Sequence, residues 1–448
     1  MENTRNTLSD IANDLVSRAT KNGASDADVV AVNGQSTSVE ALNGKLENTE
    51  RSEGISVGLR VFVGKSQAIV TASRFTDKDR DELVERAVAM AKVAPQDPFA
   101  GLADEDQLAS DWPDLDICDD SEPSTKQLLE TALEAESVGL AIDGVSQSGG
   151  GSASAGRNEI FLATSGGFSG GYARTNYGVS ASMIAGSGTA MARDYDYASV
   201  VHLSDLDAAD KIGRVAGKRA VKRLNPRKVA SQKCPVVFDQ RVASSLIGHF
   251  SSAINGSSIG RGTSFLKDDM GGKLFGDNVN IIDDGRMTRG LASKPFDGEG
   301  VATGKREIIK NGTLQSWLLD CRSARQLDLQ STGNAGRGTA GGPSPSSTNF
   351  YLAAGVQSPK ELIADIKEGF LITELIGMGV NPVTGDYSRG AAGFWIENGE
   401  ISYPVSEVTI AGNLREMFAM LVPASDLEFH GSTNAPTCLI REMTLAGQ

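Results

Sequence analysis

Histidine is scarce in these 448 residues: His202, His249 and His430 are the whole complement. That leaves little room for imidazole-based proton transfer or metal binding within one chain. The four cysteines, Cys118, Cys234, Cys321 and Cys438, are scattered without a Cys-x-x-Cys pair. Free thiols in a reducing compartment are therefore expected, not a disulfide framework. No uninterrupted apolar run approaches the roughly 20 residues of a membrane helix. Met1-Glu2-Asn3-Thr4 opens no basic-then-apolar leader, so no signal peptide is expected and the chain reads as soluble and cytoplasmic. Basic excess is missing too. With 43 Lys and Arg against 57 Asp and Glu, the net charge is −14, which argues against direct nucleic-acid binding through a broad cationic footprint. No Gly-x-Ser-x-Gly elbow or Cys-His signature surrounds a nucleophile. The segments Ser146–Gly151 and Ser165–Gly167 lack the Gly-Lys-Ser/Thr ending of a phosphate loop.

Glycine, by contrast, is abundant at 51 residues, which favours turns and strands over a helical bundle. The length calls for two or more domains. Leu8, Ile11, Ala12, Leu15, Val16 and Ala19 fall at helical spacing, and Gly23 ends that helix. Asn43-Gly44 is a hairpin signal between Ser38–Leu42 and Leu46–Glu50. Alternation from Ile55 to Val63 predicts a half-buried strand, and Gly64-Lys65 turns it into Gln67–Ala72. A second helix presents Leu83, Val84, Ala87, Val88 and Ala91 and stops before Pro95. Residues 95–123 form an acidic connector, read as a solvated loop in preference to a metal or basic-partner site. A helix over 124–137 precedes a sheet region at 143–203, whose strands the two Gly-rich segments are expected to separate. Asp205 then caps a helix that turns Ala208, Ile212, Val215, Ala216 and Val221 inward. Residues 1–225 thus read as an α+β layer with antiparallel strands.

Residues 226–448 read as a large, mainly β domain with an embedded helix. Asp239 can cap that helix, Val242, Leu246, Phe250 and Ile254 line one face, and Asn255-Gly256 ends it. Asn311-Gly312 and Asn398-Gly399 predict two more hairpins. Pro359–Phe370 is expected to be another helix. Gly333–Gly342 is rich enough in glycine for close backbone approach, which suits an unfolded peptide bound by strand addition as well as it suits a flexible loop.

Several segments, in order, resemble the TldD/PmbA family: Arg261-Gly262-Thr263-Ser264-Phe265, Ile281-Ile282-Asp283-Asp284-Gly285, Gly298-Glu299-Gly300, Pro343 to Phe350, and Gly385-Asp386-Tyr387-Ser388-Arg389-Gly390 onward to Ile396. The likeness spans essentially the whole chain and is closer to the PmbA (TldE) branch than to the TldD branch. The family is named for a proposed modulation of DNA gyrase and is assigned to the metallopeptidases. Its TldD branch carries His-Glu-x-x-x-His on the embedded helix, two zinc ligands and a general base. Counting back from Gly262-Thr263-Ser264, those positions fall here on Ile247, Gly248 and Ser252, none of which can do that work. His249 beside them would leave one ligand, not two, and reads as a helix-surface or interface histidine. Cys438, late in the chain where the TldD branch uses a cysteine, alternates with its neighbours like a buried strand residue.

The resemblance implies a metal-free, non-catalytic PmbA/TldE-like subunit of a metalloprotease complex. Zinc would sit on a TldD-like partner, in a heterodimer, with a homodimer when the chain is alone. Small unfolded peptides would be the substrates, with Gly336, Gly338, Gly341 and Gly342 as main-chain contacts. Two alternatives stay open. One is a self-sufficient metallopeptidase using His249, His430, Cys438 or the acidic connector; the other is a homodimeric binding protein without proteolysis.

Overall fold

Three Asn-Gly pairs close tight hairpins with positive φ at both residues: Asn43 and Gly44 at 54° and 72°, Asn311 and Gly312 at 48° and 80°, Asn398 and Gly399 at 50° and 80°. This geometry matches the twist of the strands it joins. The computed structural model describes the backbone of residues 2–447 and the side chains of residues 7–447. In its first half run α1 (Glu2–Lys21), β1 (Asp26–Leu42), β2 (Lys45–Val63), β3 (Ser66–Ala72), α2 (Asp77–Val93), α3 (Thr125–Leu140), β4 (Val145–Thr164), β5 (Ser169–Ala185), β6 (Ala192–Val200) and α4 (Ala209–Lys222). The strands form one antiparallel sheet in the order β3-β2-β1-β4-β5-β6.

The short strands expected around Asn43-Gly44 are continuous with their neighbours, giving strands of 17 and 19 residues. Ser146–Gly151 does not separate strands either. It lies within β4 as an irregularity between Ser148 and Gly151, with Gly150 at φ 106°. All four helices lie on the sheet. Leu8, Leu15, Val84 and Val88 from α1 and α2 bury Val29, Ala31, Val57, Leu59 and Val61. Ile212, Ala216 and Ala220 of α4 cover Val179, Ala181 and Met183. Asp205 does not cap α4: it ends the 3-10 turn Leu203–Asp205, three residues short of the cap position that Ala208 holds without a side-chain bond, and its carboxylate pairs with Arg289 at 2.8 Å.

The second half contains β7 (Gln232–Phe238), α5 (Gln240–Ala253), α6 (Gly256–Gly260), β8 (Ile281–Asp284), β9 (Lys305–Lys310), β10 (Thr313–Leu314), α7 (Cys321–Gln326), β11 (Ala335–Gly336) and β12 (Ser344–Pro345). It continues through β13 (Asn349–Leu352), α8 (Pro359–Ile363), β14 (Glu368–Ile376), β15 (Asp386–Glu397), β16 (Glu400–Asn413), α9 (Leu414–Met420), β17 (Leu421–Pro423), β18 (Thr433–Asn434) and β19 (Cys438–Ala446). Strands β16-β15-β14-β7-β19 close into a barrel through a β16–β19 pairing. A smaller sheet, β10-β9-β8-β13-β18, lies beside it. Asp239 caps α5 as expected, accepting from the Arg241 amide at 3.1 Å. Asn255 ends α5 by capping α6. The helix expected over Pro359–Phe370 stops at Ile363; Phe370 and Ile372 instead pair in parallel with Val236 and Phe238. Barrel pairing outweighs the local spacing. Phe250 anchors the core edge-on to Phe275 and Phe418, with ring centroids 5.3 and 5.6 Å away.

Candidate functional site

Of the three positions expected to match the zinc motif, α5 turns Ile247 into the core and leaves Gly248 and Ser252 one turn apart. Ile247 is fully buried in the second-half core. A side chain at Gly248 would meet nothing within 4 Å, and Ser252 is exposed, its hydroxyl donating back to the Gly248 carbonyl at 3.0 Å. An aliphatic side chain, a bare backbone and one hydroxyl do not fit a zinc ion. Among the described residues no group of three or more His, Cys, Asp and Glu side chains is placed to hold a metal.

His249 is not a surface histidine. It is half-buried, with its ring edge-on to Tyr387 of β15 at 6.0 Å. Burial, assisted by the charge of Arg389, lowers its pKa and keeps it neutral at pH 7. The other candidate ligands lie apart from it. His430 is near the surface, 3.0 Å from Glu428. Cys438 is fully buried in β19, its thiol donating to the Pro436 carbonyl at 3.1 Å and pushed up by burial and by Asp426. A buried thiol of this kind is inert.

The glycine-rich run is a strap across the two halves. Gly336 pairs with Ser344, and a side chain at Gly58 of β2 would run into the Thr339 carbonyl. Gly342 lies close enough to Ile69 of β3 for a side chain to come within 3.2 Å. Gly338 and Gly341, expected as main-chain contacts to a peptide, lie outside the left-handed region, and a side chain at either would meet nothing within 4 Å. In this run the positive φ belongs to Gly333, at 70° and against the Ala302 carbonyl.

Beneath the strap lies an ionic cluster that the sequence reading missed. Asp28 of β1 is 1% exposed. It accepts from Arg60 Nε of β2 at 2.9 Å and lies 2.6 Å from Arg337 Nη2 of the strap. Burial pushes the Asp28 carboxyl up, but the charges of Arg337 and Arg60 outweigh it and hold the group below its ordinary value. Glu299 completes the cluster, 3.7 Å from Arg60 and accepting from the Cys321 amide at 2.7 Å. Burial lifts its carboxyl to about 7 against the pull of Arg60. The visible signal was Arg60 itself, a charge between Leu59 and Val61 in an apolar strand.

The acidic connector is a solvated loop only in part: Glu105, Asp106, Asp111, Asp114, Asp120 and Glu122 are exposed, but three other acids pair with arginines of the second half. Asp97 pairs with Arg322 at 2.5 Å, Asp104 with Arg325 at 3.2 Å and Asp116 with Arg289 at 2.6 Å. Leu115 and Ile117 are buried with Val201. These three pairs cross between the halves.

Known proteins carry the same layout. Family profiles for PmbA/TldA metallopeptidase domain 1, the central domain and the C-terminal domain match residues 27–91, 118–224 and 231–447. Metalloprotease PmbA of Escherichia coli O157:H7 is 38% identical, over 95% of this chain and 93% of its own. A PmbA homolog of Haemophilus influenzae is 37% identical, over 96% of this chain and 94% of its own. Among solved structures, a Bacteroides thetaiotaomicron protein, named for a proposed modulation of DNA gyrase, superposes with a TM-score of 0.90 at 26% identity, covering 98% of both chains. TldE from Thermococcus kodakarensis shares the fold, with a TM-score of 0.84 at 19% identity over 97% of this chain and 99% of its own. The order of segments, the barrel with its inset helix and these relatives agree: the chain belongs to the PmbA/TldD metallopeptidase family, in its PmbA branch.

Proposed function

We propose that this chain is the metal-free subunit of a peptide-processing metalloprotease pair in the cytoplasm. A TldD-like partner supplies zinc and hydrolysis, and this chain completes the space in which small unfolded peptides are held. One observation carries the reading: α5 presents Ile247, Gly248 and Ser252 where the catalytic branch needs two imidazoles and a carboxylate. The self-sufficient alternative lacks similar support, since His249, His430 and Cys438 lie in separate surroundings and Cys438 is sealed in the barrel. The open space at Gly338 and Gly341 suits the close approach of an extended peptide.

Light scattering on the chain, alone and co-expressed with a TldD-type subunit, tests the assembly. A homodimer alone and a heterodimer with the partner are expected at micromolar concentration, with peptide cleavage only by the heterodimer. A monomer under both conditions would contradict the reading.

A further inference from the structure

His249 Nε2, Tyr387 Oη and Arg389 Nε are buried polar atoms without a hydrogen-bond partner among the described residues. They belong together. Tyr387 and Arg389 are two apart on β15 and share a face of the strand. The His249 ring meets Tyr387 edge-on, and the charge of Arg389 bears on both rings. Tyr387 is 1% exposed, so its hydroxyl has lost water, and no hydrogen bond of good geometry replaces it, a state native proteins seldom leave unexplained. Arg389 approaches that hydroxyl without a well-directed bond, and no carboxylate of the described residues pairs with it.

We propose that His249, Tyr387 and Arg389 form a carboxylate-binding pocket, and that the carboxylate is the C-terminus of a short peptide. The nook offers a hydroxyl donor, a guanidinium N–H with an uncompensated charge, and a neutral imidazole that donates or accepts by tautomer. Two acceptor oxygens carrying one negative charge match that set. A single cation in a chain of net charge −14 does not suit a polyanion. His249 and Arg389 are half-buried as residues, so the nook lies just beneath the surface. Gly248 and the exposed Ser252 leave the adjoining helix face open. On the segment leading from β14 toward Arg389, Ile376, Met378 and Val383 are 57%, 95% and 55% exposed. The inference rests on the reading of this chain as one that handles peptide.

The test is calorimetry on the full chain without a partner. The titrants are N-acetyl-trialanine as the free acid, the same peptide as its C-terminal amide, and N-acetyl-Ala-Glu-Ala amide. The free acid should bind about tenfold more tightly than either amide, as one charge-assisted contact implies. Arg389→Gln should reduce that preference to within about twofold, and Arg389→Lys should restore part of it. Tyr387→Phe should weaken free-acid binding without lowering the melting temperature, because the hydroxyl it removes is unpartnered; this variant carries the test if the arginine variants fail to fold. Equal binding of free acid and amide overturns the proposal. So does a lack of binding by all three at millimolar concentration, or an unchanged preference in a folded Arg389→Gln protein. Tight binding of the glutamate amide overturns the assignment to a terminus. Cleavage is not measured, so failure here leaves the metal-free reading standing, and the loss of that reading leaves carboxylate binding measurable.

Discussion

Asp28→Ala should be among the most destabilising single changes in the first sheet. The carboxylate is 1% exposed and is the common partner of two guanidiniums, with Arg60 Nε at 2.9 Å and Arg337 Nη2 at 2.6 Å. After its removal the nearest anion is Glu299, 3.7 Å from Arg60, whose carboxyl is itself lifted to about 7 by burial. Two buried cations would then face a half-protonated acid. Removing one member of a buried pair costs on the order of 3–5 kcal/mol, mostly the penalty of stranding the other charge. The exposed pair of Arg51 and Glu53, at 3.0 Å with both side chains more than half exposed, is the control, worth about 0–1 kcal/mol. Urea unfolding followed by tryptophan fluorescence reads both. Trp112 reports on the junction of the halves, packed 5.6 Å from Phe296, while Trp317 and Trp395 lie in the second-half core. The Asp28→Ala midpoint should fall sharply while Arg51→Ala stays with the parent. Asp28 is held below its ordinary 3.8, so its contribution is present above that value and is lost as pH falls through the lowered folded value. The gap between parent and variant should therefore close only in strong acid. An Asp28→Ala protein within about 1 kcal/mol of the parent at pH 7 would refute the cluster as a stabilising contact.

Glu299 should show the opposite dependence. Its folded value of about 7 lies above the ordinary 4.5, so the folded state holds the proton more tightly and stability falls as pH rises from 4.5 through 7, by on the order of 3 kcal/mol. Glu299→Gln should flatten that slope in melting temperatures taken at pH 5 and pH 8; an unchanged slope would place the titration elsewhere. In the strap, Gly333→Val should cost about 1–3 kcal/mol from backbone strain alone, because Gly333 sits at φ 70° against the Ala302 carbonyl. Gly338→Val should leave stability unchanged, since nothing lies within 4 Å, and should slow peptide cleavage by the co-expressed complex. If a folded, partner-bound Gly338→Val protein cleaves at the parental rate, the strap is a loop and the peptide lies elsewhere.

Local chemistry was the most legible part of the fold. Asn-Gly dictates a two-residue turn wherever it sits between apolar runs, and all three such turns form. Leu83, Val84, Ala87, Val88 and Ala91 are the buried face of α2, as their spacing predicts. What the sequence hid depends on distant neighbours. Phe370 was placed at the end of a helix by its apolar spacing, and parallel pairing with Val236 of β7 makes it a strand residue instead. Asp205 looked like a cap, but it closes a 3-10 turn and α4 starts only after Ala208. The connector looked solvated because Arg289, Arg322 and Arg325, which bind its acids, lie far along the chain.

The site divides in the same way. That Ile247, Gly248 and Ser252 carry no ligand set follows from residue chemistry alone. The surroundings of His249 do not, because Tyr387 and Arg389 come from a strand well over a hundred residues later. Gly338 and Gly341 were singled out as peptide contacts, whereas the member of the run whose backbone requires glycine is Gly333. Composition marks a glycine run but cannot say which member has positive φ.

The central claim is that this chain handles peptide without its own metal. It is tested most directly by measuring zinc per chain after dialysis, together with cleavage of an unfolded peptide, on the purified chain and on its complex with a TldD-type subunit. The account predicts no stoichiometric zinc and no cleavage for the chain alone, and both for the complex. One zinc per chain retained through dialysis, with cleavage by this chain unaided, would contradict it.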